Sequence, residues 1–194
     1  MGYHHGDLRV ALIEASFASL AEYGLQRFSV AAVARRLGVS SAAPYRHFPD
    51  RDHLLSAVSA VAARELREEI VAAADAAGAD EVDRLAAVAG AYVRFMTRTG
   101  AGFHVIFAAG LSALHDEERR EQTRALMTTL IELAVAVEPS SYQEMLHLIQ
   151  EIIAVAHGYT ALLTDGFFQL SNGSAEHIAT RAVRAAADLA TARR

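Results

Sequence analysis

Residues 29–48 read SVAAVARRLGVSSAAPYRHF, and the reading of the whole chain turns on them. Ser29 offers the side-chain oxygen that caps a helix N-terminus. Val30, Val33 and Leu37 place an apolar stripe on the short helix that follows. Gly38 permits a sharp turn, and Val39 fits the angle between two helices. Small Ala34 lets a second helix cross closely, and Phe48 closes a little core from the far side. A helix over 41–47 would turn its outer face to solvent, and a DNA major groove is wide enough to admit one helix. Because this spacing is common, the pattern alone leaves two readings, a DNA-reading module or an ordinary helical hairpin.

Outward from this motif the chain is alanine-rich, with apolar residues three and four apart and no alternating strand pattern. The expected fold is all-α, with about nine helices punctuated by Gly and Pro. They span 6–23, 29–37, 40–47, 50–74, 80–99, 102–112, 115–137, 141–164 and 174–191. Gly24 and Gly38 stop the first two. Gly78, Gly100, Gly102, Pro139 and Ser171-Asn172-Gly173 supply the later breaks. A three-helix module over 1–55 and a larger helical body over 56–194 are the expected domains.

Composition narrows the function. The 194 residues contain no cysteine, which removes disulfides, thiolate metal sites and cysteine nucleophiles. Net charge is −5, but it is unevenly spread: residues 1–55 hold six Arg against five acids, net +1, leaving −6 for the rest. A mildly basic end on an acidic body suits a protein that offers one end to DNA. All 18 basic residues are Arg. His4, His5, Asp7 and Arg9 interrupt any secretion signal at the N-terminus. His147, Gln150, Glu151 and His157 break the most apolar stretch, Leu146 to Leu163, and argue against a bilayer span. The expected location is the cytoplasm, on the nucleoid when DNA is bound.

Two stretches carry a family resemblance. Residues 3–55, YHHGDLRVALIEASFASLAEYGLQRFSVAAVARRLGVSSAAPYRHFPDRDHLL, resemble the DNA-binding domain of the TetR/AcrR transcriptional regulators. The Tyr-x-His-Phe unit at Tyr45, His47 and Phe48, directly after Gly-Val-Ser, is the most specific part. Downstream, Ala156-His157-Gly158-Tyr159 is similar to the His-Gly motif of one C-terminal subgroup, whose members often share the Tyr-His-His-Gly-Asp-Leu opening seen at 3–8. The resemblance implies an all-helical fold, two-fold dimers and palindromic operators. It assigns Tyr45 and His47 to phosphates, Ser41, Ala42 and Pro44 to bases, and Ser29 to the cap of the second helix. Ser40 and Arg35 complete the expected DNA set. Arg51 stands where relatives usually carry Lys, as a phosphate partner. Ala42 and Pro44 cannot donate side-chain hydrogen bonds, so readout would lean on methyl contacts and DNA shape. Of the adjacent Arg35 and Arg36 only one can face DNA well, and the other is left for solvent or a local ion pair. His4 and His5 read equally as a DNA-reaching arm or as a frayed terminus.

In the body, the helix at 141–164 is apolar almost all round and needs cover on two sides. A second subunit is the simplest second cover, and Ile152, Ile153, Tyr159, Ile178, Ala182 and Leu189 are the expected dimer residues. Candidates to line an effector pocket are Tyr92, Phe95, Met96, Phe103, His104, Phe107, Met127, His147 and Glu151. Aromatic and Met stripes are more often plain core; His104, His147 and Glu151 stand out because polar groups on apolar faces need partners. His147 and Glu151 share a helical face, but His157 lies about 80° away. No metal, cofactor or catalytic motif is expected. The expected function is a ligand-responsive repressor, a homodimer released from operator DNA by a small hydrophobic effector. A small all-helical enzyme or a scaffold without DNA-binding activity is the competing reading, and it leaves 29–48 unexplained.

Overall fold

A computed structural model describes residues 5–137, 141–168 and 174–193. Pro139, the Ser171-Asn172-Gly173 break, His4 and the side chain of His5 lie outside the described residues. Eight α-helices and no strand occur among them. These are α1 (His5–Tyr23), α2 (Val30–Arg36), α3 (Arg51–Ala76), α4 (Glu81–Thr99), α5 (Phe103–Ile106), α6 (Glu117–Val137), α7 (Tyr142–Thr164) and α8 (Ala175–Thr191).

Two expected helices shrink. The one at 40–47 is a single 3-10 turn, Pro44–Arg46. Proline has no N–H to close an α-helical bond onto Ser40, and the turn closes instead through His47 N–H to the Pro44 carbonyl at 2.9 Å. The one at 102–112 is broken at Ala108, whose ψ of 117° extends the backbone between α5 and a 3-10 turn at Ala109–Leu111.

The chain packs as two compact units. One holds residues up to 63 together with 98–123; the other holds 64–97 and 124 onward. In the first unit α1 buries Leu12, Ile13, Ser16, Ser19 and Leu20, a stripe at helical spacing. It stops at Gly24, which adopts φ 71° and donates its N–H to Leu20 O at 2.8 Å. Helix α3 opens on Asp50, whose carboxylate accepts the N–H groups of Asp52 and His53, each at 2.9 Å. From Leu54 to Ala63 every residue of α3 except half-buried Val61 is buried.

The polar residues in that run find partners far along the chain. Ser59 donates to Ile106 O at 3.0 Å, and Ser56 donates to the Asp116 carboxylate at 2.7 Å. Gly100 lies against α1 so closely that a Cβ there would sit 2.4 Å from Ala21 Cα, and its φ is 65°.

In the second unit α7 packs along α8. Ser141 and Ser174 cap the two helices through the N–H groups of Glu144 and His177, each at 3.2 Å. Helix α8 buries Ile178, Ala179, Ala182, Ala186 and Ala190. Helix α4 reaches α7 through Tyr92 and His157, hydrogen-bonded at 2.9 Å, and reaches α8 through Arg94 and Glu176 at 3.2 Å. Arg193 ties α7 at Glu144, 2.8 Å away, and at Glu151. By length and composition alone α7 could cross a membrane, but a core helix of a soluble protein passes the same test.

Two predictions concern the first unit. Gly100→Ala adds left-handed strain and a clash with α1 backbone, so it should lower unfolding free energy by about 2 kcal/mol or more in denaturant melts; unchanged stability would show that the contact relaxes freely. For Asp116, burial raises the carboxyl pKa, but the Ser56 hydroxyl and the N–H and charge of Arg119 outweigh it and hold the group below its ordinary value of 3.8. A depressed folded-state pKa adds stability above the unfolded value and loses it as pH falls through the folded one. Asp116→Asn should therefore flatten the acid limb of the stability curve, measured by melts between neutral and strongly acidic pH.

Candidate nucleic-acid interface

The expected helix-turn-helix is built by α1, α2 and the 40–48 segment. Ser29 sits at φ −138° and accepts the Ala32 N–H at 3.4 Å, which fixes the start of α2. Val30, Val33 and Ala34 are buried along one side of the helix. Gly38 turns the chain at φ 69°, and Val39 N–H closes on Ala34 O at 3.0 Å. Phe48 is buried, with the Arg9 guanidinium 5.4 Å from its ring centre.

What the segment leaves outside is a short polar edge. Ser40, Ser41 and Ala42 are exposed, and Tyr45 is 52 % exposed. His47 is half-buried. Pro44 is buried, which corrects the expectation that it faces bases: the 3-10 turn swings it inward where a longer helix would have carried it outward. Arg46, not singled out in the sequence, is exposed on the same turn. The signal for it was its place between Tyr45 and His47.

The arginines divide by partner. Arg36 pairs with Glu22 at 2.8 Å. A hydrogen bond from Tyr23, together with Arg36, holds the Glu22 carboxyl below the usual carboxylate range. Arg35 stays exposed on the next position. Arg51 departs most from expectation. Its Nε donates to Phe28 O at 3.3 Å, Nη2 donates to Leu25 O at 2.9 Å, and Nη1 meets Asp52 at 3.0 Å. Those bonds satisfy carbonyls of the irregular turn before α2. Arg51 is a clamp within the chain, and its fork is engaged there rather than held out for a phosphate.

The nine effector candidates are split between the two units. Phe103 and Phe107 meet edge to face at 5.0 Å. His104 and Phe107 border a cleft of about 480 Å³ whose other walls include Leu25, Arg51 and Leu55. Tyr92 and Phe95 are wholly buried core residues. Met96 and Met127 are half-buried, His147 is exposed, and Glu151 is ion-paired with Arg193.

The dimer candidates also divide. Ile152, Ile178 and Ala182 are buried within the single chain, so they are intrachain core and not a surface for a partner. The sequence could not say which side of a doubly apolar helix faces its own chain. Ile153, Tyr159 and Leu189 keep some exposure, as do Val155 and Leu163, and Leu162 is 41 % exposed.

Comparison with known proteins accords with this layout. Residues 12–58 match the family of bacterial regulatory proteins described as the tetR family, and residues 85–186 match the tetracyclin repressor-like C-terminal domain. The HTH-type transcriptional regulator BetI of Stenotrophomonas maltophilia (strain R551-3) is 30 % identical over 117 residues, 60 % of this chain. The match spans 60 % of the length of that relative. A solved structure from Rhodococcus sp. RHA1, of unknown function, superposes with TM-score 0.70 at 26 % identity and covers 97 % of both chains. A TetR-like transcriptional regulator from the same strain shares the fold, with TM-score 0.60 at 17 % identity over 99 % of this chain and 96 % of its own. These matches do not assign the His-Gly subgroup suggested by Ala156–Tyr159. With a helix-turn-helix at one end and the matching C-terminal domain over more than half its length, the chain belongs to the tetR family of transcriptional regulators, which are DNA-binding proteins and not enzymes.

Proposed function

We propose that the protein is a homodimeric repressor that holds a palindromic operator through residues 1–55 and is released when a small, largely hydrophobic effector binds within 56–194. It would act in the cytoplasm, on the nucleoid while bound to DNA. The observation that carries the reading is the exposed edge of the helix-turn-helix. Ser40, Ser41 and Ala42 lie beside Tyr45 and Arg46, and Arg35 stands open on α2. Small side chains suit close approach to base edges, and flanking Arg and Tyr suit phosphates. Among the nine effector candidates, His104 and Phe107 border a cleft of ligand size within the first unit, which is one place for the effector in this reading. The dimer surface is the open side of α7 and α8, around Ile153, Tyr159 and Leu189.

DNA binding should prefer an inverted repeat and weaken steeply with salt as counterions are released. Arg46→Ala and Tyr45→Phe should weaken specific and random sites alike, whereas changes at Ser41 or Ala42 should alter sequence preference. Selection from random DNA and salt titrations by fluorescence anisotropy measure both; salt-insensitive binding without any palindrome preference would falsify the reading.

For assembly, Ile153→Arg should give a folded monomer. Ile152→Arg should unfold the chain, because an unpaired charge enters its core at about 3–5 kcal/mol. Sedimentation and circular dichroism separate the two outcomes. A wild-type monomer at micromolar concentration would remove the dimer.

A further inference from the structure

The second unit contains a cavity of about 480 Å³ where the C-terminal half of α3, the first turn of α4 and the last turns of α6 come together. None of the nine effector candidates lines it. Its apolar wall is aliphatic, formed by Val71, Ala74, Leu133 and Ala136, and Thr129 adds a hydroxyl. The two arginines at its edge are in different states. Arg84 is engaged by the chain, with Nη1 on Ala74 O at 3.1 Å and Nη2 on Asp75 at 3.1 Å, which neutralises that acid and caps α3. Arg67 is half-buried, and its Nε–H is buried with no hydrogen-bond acceptor among the described residues.

A buried donor of a charged group without an acceptor is costly, and an acceptor brought by a ligand would relieve that cost. From this guanidinium, with its unserved Nε–H, at the edge of a cavity with aliphatic walls, we propose that the cavity binds an amphiphilic aliphatic monocarboxylate. The carboxylate sits on Arg67, and the alkyl chain lies along Val71, Ala74, Leu133 and Ala136. The charges at the mouth select the class further. Glu81 and Glu132 are exposed there, so a second negative charge on the ligand would meet repulsion, and a dicarboxylate or phosphate dianion is disfavoured. Among the described residues no aromatic ring lines the cavity, so none of them stacks on a flat ligand.

The proposal rests on reading the chain as a ligand-responsive regulator and gives that effector a site and a chemistry. Because α3 runs unbroken from Arg51 to Ala76, a ligand on Arg67 and Val71 grips the helix whose first turn is clamped to the DNA-binding segment.

The test uses the full-length protein and the straight-chain acids from hexanoate to decanoate, in calorimetry and thermal melts. Octanoate should bind and raise the melting temperature, while methyl octanoate, octylamine and the dicarboxylate suberate bind far less well. Arg67→Met keeps the aliphatic stem and removes the orphaned donor. It should bind octanoate roughly 10- to 100-fold more weakly, since the lost interaction is a hydrogen bond to a charged group, and the unliganded variant should melt no lower than wild type. Leu133→Trp fills the cavity with Arg67 left in place and should abolish binding. Octanoate binding that is equal in wild type and both variants overturns the proposal, as does a methyl ester that binds as well as the acid, or no acid in the series binding below millimolar concentration. Gel-shift titrations with operator-selected DNA run alongside. A protein that never binds DNA defeats the regulator reading even where Arg67-dependent octanoate binding holds. A different effector that releases DNA equally from wild type and Arg67→Met leaves the regulator standing and removes this site.

Discussion

A helix buried on nearly every side has little solvent face on which to put its polar groups, and α3 between Leu54 and Ala63, where all but half-buried Val61 are buried, is in that position. Much of the first unit answers to this constraint. The side chains there must be small enough for neighbours to approach from all directions, hence Ser56, Ala57, Ser59, Ala60, Ala62 and Ala63. Any hydroxyl among them must find an acceptor or carry a desolvation cost of about 1–3 kcal/mol. Ser59 finds one at Ile106 O and Ser56 at Asp116, so the segment after α4 is held to α3 by chemistry as well as by packing. The low pKa of Asp116 and the intolerance of Gly100 for any side chain belong to the same close assembly.

How much of this the sequence disclosed depends on how local the physics is. The cap at Ser29 and the left-handed turns at Gly24 and Gly38 are decided within a few residues, and the pattern of apolar spacing carries the helices around them. Three things were not legible. Pro44 reads as the first turn of a helix, but its missing N–H and the short distance to Phe48 convert the segment into one 3-10 turn with the ring inward. Ile152, Ile178 and Ala182 carry the same apolar signal whether they meet their own chain or another, because periodicity reports a face and not its partner. Arg51 reads as a phosphate ligand from its place in the motif, yet its fork reaches back to carbonyls more than twenty residues upstream. Long side chains spend their hydrogen bonds wherever the fold brings an acceptor, and that is a tertiary fact.

The exclusive use of arginine gains a physical meaning from these contacts. Arg51 spans two carbonyls and a carboxylate, and Arg84 joins a helix end to Asp75; each needs a planar fork with several donors in fixed directions. A lysine ammonium would serve one of these acceptors well and leave the others to water. Arg67 and Arg119 each leave a buried Nε–H unserved, and of the two it is Arg67 that lines the aliphatic cavity, while Arg119 donates Nη2 to Leu111 O at 3.0 Å.

The first unit is discontinuous in the chain, and this affects the order in which the protein can be made. Ser56 and its carboxylate partner lie 60 residues apart. At a synthesis rate of about 5–20 residues per second, that separation corresponds to roughly 3–12 s during which the helices of the DNA-reading end exist without the segment that completes their core. Over that interval Leu54, Leu55 and Val58 have part of their final cover missing, so the nascent chain passes through a sticky stage that the finished protein conceals. Closure of so long a loop comes late in folding. The helices that read DNA are thus completed only after a segment 60 residues downstream of Ser56 has followed them off the ribosome.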